Sequence, residues 1–333
     1  MQRLRSHLLA GNALATPHAV VSHMTAIQAQ DFLGSLWAIG VRMKSATEAT
    51  IEEAIAKRAI VRCWPMRGTL HIVAAEDVRW MLSLLAPRAL ARHRKRLEGD
   101  FGLDAKALRR CRDVAARALT GNALTRAELY ASLEKSKITT TNGRGLQILF
   151  ALAQEQVLCF GARRGKQPTF VLLDEWLAST SSGEGDLREL AKRYLASHGP
   201  ATAHDFAWWA GVTPREARDA CAGIAQPESR QRKSSSVRLL PAFDEYTVAY
   251  RDRTPIVEPE LVRRINNGGG MISAVVLIDG RVTGTWKRTL GKNDVTLEVT
   301  TFRTLHPRAL QQLQKEADRY AKFLGRARAM LRA

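Results

Sequence analysis

The sequence predicts an α+β fold: three tandem winged-helix (helix-turn-helix) motifs, then a small β-barrel-like C-terminal sheet and a terminal helix. Three observations carry this. Helix-start signals followed by short β-branched hairpins recur along the chain, the hydrophobic period changes from helical to two near Val237, and the last segment returns to a helical stripe. At 333 residues and 45% hydrophobic content the chain can bury a large core, and its length suggests two to four modules.

The first module is assigned to residues 1–104. Thr16-Pro17 supplies a cap and an N1 proline for a helix through Met24. Asp31 suits the N-cap of a helix bearing Phe32, Leu33, Leu36, Trp37 and Ile39. Thr50-Ile-Glu-Glu53 reads as a capping box opening a helix to about Arg58. Ile60 to Val73 then flanks a Pro-Met-Arg-Gly turn signal with β-branched residues, so helices lead into a hairpin.

The same order returns in 105–180. Leu108 to Leu119 is helical in period, Thr125-Arg-Ala-Glu128 is a capping box, and Gly143 to Gln156 carries Leu146, Leu149, Phe150 and Leu152. A hairpin of Val157–Phe160 and Thr169–Leu173 follows across a basic loop. A Ser/Gly-rich linker leads to the third module, 183–235, where Asp186 to His198 precedes helices opened by Thr202-Ala-His-Asp205 and Thr213-Pro-Arg-Glu216 and joined at Gly211. In 236–333 the period-two runs from Val237, Ile272, Val282 and Val295, with an Asp279-Gly280 hairpin turn, predict the sheet. Pro307 to Arg328 predicts a basic helix with Leu310, Leu313, Ala317, Tyr320 and Phe323 on its apolar stripe.

Charge narrows the function. Lys plus Arg number 51 against 32 acids, for a net charge of +19 and a pI near 10.4, and such an excess points to an extended polyanion. No apolar run approaches the roughly 18 residues needed to span a membrane, and the basic residues are spread along the chain, so nucleic acid is favoured over a lipid surface. The first thirty residues lack acids and carry Arg3 and Arg5, as a transit peptide would. Asn12, Pro17 and His18 interrupt any secretory core, so the segment reads as the opening of the fold. Cys63, Cys111, Cys159 and Cys221 stand far apart, without metal-ligand spacing, as reduced residues of a cytoplasmic protein would. No metal or cofactor is expected.

The chemistry centres on Gln28-Ala29-Gln30. On a helix the two side chains would point about 200° apart, whereas in an extended or turn segment they share a side. Paired amides can orient a water molecule but take no proton at neutral pH, so any reaction they assist needs a good leaving group. The alternative is a pair of polar residues in an exposed loop. In the first hairpin Arg67, Thr69 and His71 alternate onto one strand face, suited to phosphate contacts or else merely solvated. Pro87 to Arg112 is densely basic, with Arg92, Arg94, Lys95 and Arg96 at its centre, as a phosphate-tracking stretch or a solvated helix face would be. Phe243-Asp-Glu-Tyr246 and Tyr250-Arg-Asp-Arg253 bring Asp244 and Arg251 forward as auxiliary acid-base groups or as members of ion pairs holding the sheet to the helices. Trp208-Trp209 and Trp286-Lys287-Arg288 offer base stacking and phosphate contacts, or core packing.

Together Gln28-Ala-Gln30, Arg67-Gly-Thr-Leu-His71, Leu239-Leu-Pro-Ala-Phe-Asp-Glu245 and Tyr250-Arg-Asp-Arg253 resemble the AlkZ/AlkX (YcaQ)-like winged-helix DNA glycosylase family, over nearly the whole chain. The resemblance implies a monomeric, monofunctional glycosylase acting on double-stranded DNA and removing bulky N7-alkylated purines, with Gln28 and Gln30 as the catalytic pair and Asp31 as a cap or auxiliary group. It further implies that the hairpin of Thr69 and His71 approaches the lesion. One branch of that family carries Gln-x-Gln, as here. The other carries Gln-x-Asp, and crosslink unhooking is the more associated with it. Without the resemblance, a non-catalytic winged-helix regulator and an RNA-binding protein are the competing readings.

Overall fold

The computed structural model describes residues 2–181, 183–226, 236–266, 268 and 272–332. Two compact units make up the chain, one of residues 1–52 with 187–333 and the other of 53–186, so the stretch read as one first module, 1–104, is shared between them.

In the 53–186 unit the first hairpin forms as its turn signal requires. Ile60–Met66 and Thr69–Ala74 pair antiparallel, and Arg67 (φ 56°) and Gly68 (φ 75°) both take the left-handed conformation of a turn whose twist suits a hairpin. The solvated Arg-Thr-His face does not exist. Ile60–Met66 is buried along its whole length and His71 is 0% exposed, while Arg67 and Thr69 are half-buried. The reason is that both sides are covered. The Val78–Gly99 helix, the Arg144–Gln154 helix and the Leu158–Phe160 strand all pack on Ile60–Met66, with Trp64 and Phe160 ring centroids 5.0 Å apart and Gln154 Nε2 donating to the Trp64 carbonyl at 2.6 Å.

Beyond it the order is helix Ala105–Leu119, short strand Leu124–Thr125, helices Arg126–Lys135 and Arg144–Gln154, then the hairpin Leu158–Phe160 and Thr169–Leu172. The Thr125/Glu128 capping box forms in full. Thr169–Leu172 lies at the centre of the three-stranded sheet. Leu146, placed on the apolar side from its spacing, is 48% exposed; Ile148, Leu149 and Leu152 make the buried face instead.

In the other unit the helices Leu187–His198, Ala203–Ala210 and Pro214–Cys221 appear where their caps predict. Thr202/Asp205 and Thr213/Glu216 are complete capping boxes, and Gly211 closes the second helix at φ 71°. The wing expected of this third module falls on 227–235, outside the described residues. The C-terminal sheet is open and five-stranded, in the order Arg328–Arg332, Asp294–Thr301, Arg281–Leu290, Val275–Ile278, Val237–Leu240. A register shift between Val276 and Leu277 is the kind of bulge that curls a sheet.

Two expected boundaries are corrected. The terminal helix ends at Phe323 rather than Arg328, because Gly325 (φ 66°) turns the chain so that Arg328–Arg332 can pair parallel with Asp294–Thr301. Thr50 does not open a helix. Glu48–Ala56 already contains it, and Thr47 is the residue whose hydroxyl accepts the Thr50 N–H at 3.2 Å. The Pro307–Phe323 helix packs on Phe32–Gly40 so closely that a Cβ at Gly40 would lie 2.6 Å from the Phe323 ring. Among the described residues no helix is long and apolar enough to cross a membrane.

Candidate active site

Thr25 ends the Pro17–Met24 helix in a left-handed conformation (φ 67°), and the chain then runs extended through Ile27–Gln28. Asp31 occupies the N-cap position of Phe32–Gly40 with extended backbone (φ −90°, ψ 105°), but its carboxylate makes no capping hydrogen bond. Gln28 therefore sits in a short extended segment, and Gln30 in the bend that joins it to the helix. Their exposures differ: Gln28 is 9% exposed, while Gln30 and Asp31 face solvent.

What fixes this segment comes from far along the chain. Glu245, fully buried, accepts the backbone N–H of Gln28 at 2.8 Å through Oε1 and the indole N–H of Trp209 at 3.0 Å through Oε2. Its neighbour Asp244 is paired in bidentate fashion with Arg42, Nη1 to Oδ2 and Nη2 to Oδ1 both at 2.7 Å, with neither side chain exposed. Asp244 is therefore an ion-pair member rather than a group open to substrate. Arg251, offered as its companion, has an exposed side chain, and its backbone N–H donates to Asp205 Oδ1 at 3.0 Å. The intervening helix is held as well: Trp37 Nε1 donates to the Leu239 carbonyl at 2.7 Å, and Arg319 Nη2 donates to the carbonyls of Gly40, Val41 and Met43.

Behind Glu245 lies a buried histidine pair. The Ser197 hydroxyl donates to the Arg193 carbonyl at 2.7 Å, so His198 Nδ1, 2.8 Å from that oxygen, must carry a proton and donate to it. His198 Nε2 then faces Glu245 Oε2 at 3.6 Å. Tyr250 likewise donates to the His198 carbonyl at 2.6 Å, which makes His7 Nε2 the donor in its 2.7 Å contact with the Tyr250 oxygen. Burial lowers the pKa of both histidines from the ordinary 6.5. For His7 the fall is large and His198 and Arg42 add to it, while for His198 the Glu245 carboxylate partly offsets it. Arg42, His7 and His198 were not singled out by pattern, while Glu245 entered only within the Phe243-Asp-Glu-Tyr246 run and Trp209 only as half of the Trp208-Trp209 pair.

The basic candidates divide by environment. Arg92, Arg94, Lys95 and Arg96 stand exposed on Val78–Gly99, whose buried side carries Leu85, Ala89 and Leu97. Arg94 and Arg96 make long contacts to Glu98 and Asp100, at 3.9 and 4.0 Å, and the Arg96 guanidinium lies 5.5 Å from the Phe101 ring centroid. Beside them a groove of about 340 Å³ is floored by Leu90, Leu97 and Leu108 and edged by Arg94, Arg109 and Arg112. Lys287 is exposed. Trp286 is 6% exposed and donates to the Leu240 carbonyl at 2.8 Å, and Arg288 donates to the Tyr320 hydroxyl, so this pair packs the sheet on the terminal helix rather than standing ready to stack. Trp209 is fully buried. Trp208, 44% exposed, is tied to the Val248 carbonyl at 3.0 Å. Among the described residues no cluster of His, Cys, Asp and Glu could hold a metal ion, and all four cysteines are free thiols.

A family model described as DNA glycosylase AlkZ-like matches residues 21–323. An interstrand DNA cross-link repair glycosylase of Streptomyces sahachiroi is 25% identical over 363 aligned positions, covering 99% of this chain and 96% of that protein. The solved structure of Streptomyces sahachiroi DNA glycosylase AlkZ has the same α+β fold, with a TM-score of 0.77 at 23% identity, covering 99% of this chain and 97% of that one. That relative, an AlkZ, is itself named for crosslink repair, which removes the ground for assigning crosslink unhooking to the other branch. With the matched span running from before the glutamine segment to the end of the terminal helix, this chain belongs to the AlkZ-like family of DNA glycosylases.

Proposed function

We propose that the protein is a monofunctional DNA glycosylase, acting as a monomer on double-stranded DNA in the cytoplasm, that hydrolyses the N-glycosidic bond of bulky or cationic N7-alkylated purines. Gln28 and Gln30 orient the attacking water. The supporting observation is the family match together with the extended, backbone-anchored placement of Gln28, two residues before Gln30 and just ahead of a clamped helix. Alkylation at N7 leaves the purine positively charged, so its bond to C1′ is already weak. As it breaks, the electron pair passes to the base and neutralises it, an oxocarbenium ion develops on the sugar, and water adds to C1′ and loses its proton to bulk solvent or to exposed Asp31. Amides suffice for such a step and would leave an unmodified base uncleaved.

The Thr125-, Thr202- and Thr213-capped helices are read as parts of winged helices that carry the duplex, with Arg92, Arg94, Lys95, Arg96 and Lys287 on phosphates. A bulky adduct is costly to flip into a small pocket, so recognition from an open basic surface fits this substrate class. Interstrand crosslinks joined through purine N7 carry the same labile bond and fall within the proposal, whether the enzyme serves general repair or protects its host from an alkylating metabolite. The test is release of free base from N7-alkylguanine duplex. Gln28→Ala with Gln30→Ala is expected to lower it by about 10²-fold or more. Undiminished release by that double variant removes the mechanism, and tight sequence-selective binding by wild type without any release makes the protein a regulator instead.

A further inference from the structure

The buried carboxylate of Glu245 has no step in the mechanism above, yet it is bonded to the residue on which that mechanism depends. We infer that Glu245 is a positioning residue for hydrolysis, acting through the backbone of Gln28; the inference rests on the reading of Gln28 and Gln30 as the water-orienting pair.

Three observations support it. First, Glu245 is 0% exposed and bridges 217 residues of sequence to bond the Gln28 N–H at 2.8 Å. Burying a carboxylate is costly unless donors compensate it, and here the Gln28 amide at 2.8 Å and the Trp209 indole at 3.0 Å supply one donor to each oxygen. A bond to an ionised acceptor is roughly twice as strong as one to a neutral acceptor. Second, Asp244 holds Arg42 through two 2.7 Å bonds, so adjacent carboxylates grip both ends of the segment that begins at Gln28 and ends just past the Phe32–Gly40 helix. Third, Phe243, immediately before them, is a buried non-glycine residue at φ 60°, a strained backbone state that is kept where surrounding structure enforces it. Displacement of a reacting group by about 1 Å can lower a rate by about 10²-fold, so a rigid tether on Gln28 bears directly on the chemical step.

The experiment measures single-turnover release of N7-methylguanine from duplex DNA at saturating enzyme, well below each variant's melting temperature, with affinity for undamaged duplex measured in parallel. Glu245→Ala is expected to slow the single-turnover rate constant by about 10- to 100-fold, with duplex affinity unchanged within about twofold. Because Glu245 acts through Gln28, adding Glu245→Ala to Gln28→Ala is expected to slow release no further than Gln28→Ala alone. Glu245→Gln keeps an acceptor for Gln28 but turns its NH2 on the Trp209 N–H. Trp209→Phe removes that opposing donor and leaves the NH2 free to donate to His198 Nε2, so the Trp209→Phe/Glu245→Gln pair is expected to regain most of what Glu245→Gln loses. These isosteric variants carry the test if Glu245→Ala does not fold. A wild-type rate in Glu245→Ala or Glu245→Gln, multiplicative losses with Gln28→Ala, or loss of duplex affinity in step with rate overturns the inference. If Gln28→Ala/Gln30→Ala itself keeps full release, the glutamine reading fails. If that variant loses release while Glu245→Gln keeps it, only the role of Glu245 fails.

Discussion

In the unit formed by 1–52 and 187–333, Arg42, Asp244, Glu245, His7 and His198 are all withdrawn from solvent, whereas along Val78–Gly99 in the 53–186 unit Arg92, Arg94, Lys95 and Arg96 all face it. The second unit also buries Arg62 and Asp77, with the Arg62 guanidinium 4.5 Å over the Phe160 ring and the Trp80 indole donating to Asp77 at 2.8 Å. The contrast separates two uses of charge. A buried pair gains little net stability over an apolar one and is most useful for fixing geometry, while an exposed cation holds its fold weakly and stays available to a polyanion.

The contrast is broken most forcefully at Arg42. Arg42→Met leaves Asp244 as an uncompensated buried charge and is expected to cost about 3–5 kcal/mol, measured by urea unfolding; a loss under about 1 kcal/mol would show that Asp244 finds another partner or is neutral. On the exposed side, Arg94→Ala with Lys95→Ala and Arg96→Ala is expected to leave the unfolding midpoint nearly unchanged. It should flatten the dependence of log K for duplex DNA on log salt by about 0.9 for each phosphate no longer neutralised. An unchanged slope would take this helix out of the DNA interface.

Acid provides a subtler probe. His7 and His198 have folded pKa values depressed below 6.5, so their neutral forms are the native ones. Stability is then fully present above pH 6.5 and is lost progressively as pH falls from there toward the folded values, since the unfolded chain takes up protons first. The depressed carboxylates Glu53 and Glu128 act only below their ordinary 4.5, so just under 6.5 the slope comes from His7, His198 and likewise depressed His23, opposed from 4.5 upward by Glu316, which burial raises. His7→Gln is expected to shrink the pH slope of the unfolding free energy there, and an unaltered slope would exclude His7 as its source. Smallest of all is a labelling difference. Burial pushes the Cys63 thiol up to about 12 and raises Cys159, Cys111 and Cys221 as well, but Cys221 alone is partly exposed, so iodoacetamide at pH 8 is expected to modify it first, as read by peptide mass.

Much of the fold was legible because its signals are local. Thr125, Thr202 and Thr213 cap helices through partners three residues away, Gly211 and the Arg67-Gly68 turn fix backbone shape by themselves, and Asp31 at the N-cap position keeps Gln28 and Gln30 ahead of the helix. Errors arose where two local solutions compete or where packing decides. Thr47 and Thr50 both suit a cap, and the chain uses the earlier one. His71 alternates as a solvated residue would, but the strand is covered on both sides and alternation carries no information about that. The basic helix read through to Arg328 stops at Phe323, and Arg328–Arg332 becomes a strand because an open sheet edge lies there to receive it.

By itself, then, the chain's order of residues determined its α+β class, its helix starts, its basic character and the presence of a Gln-x-Gln pair just ahead of a helix. Tertiary structure alone decided that Glu245 would hold Gln28 and Asp244 would hold Arg42, across separations of 217 and 202 residues. Separations of that length leave no periodic trace. A carboxylate finds its donor across them only after the core has closed, and the low dielectric of that core is what turns an ordinary acidic residue into a rigid support.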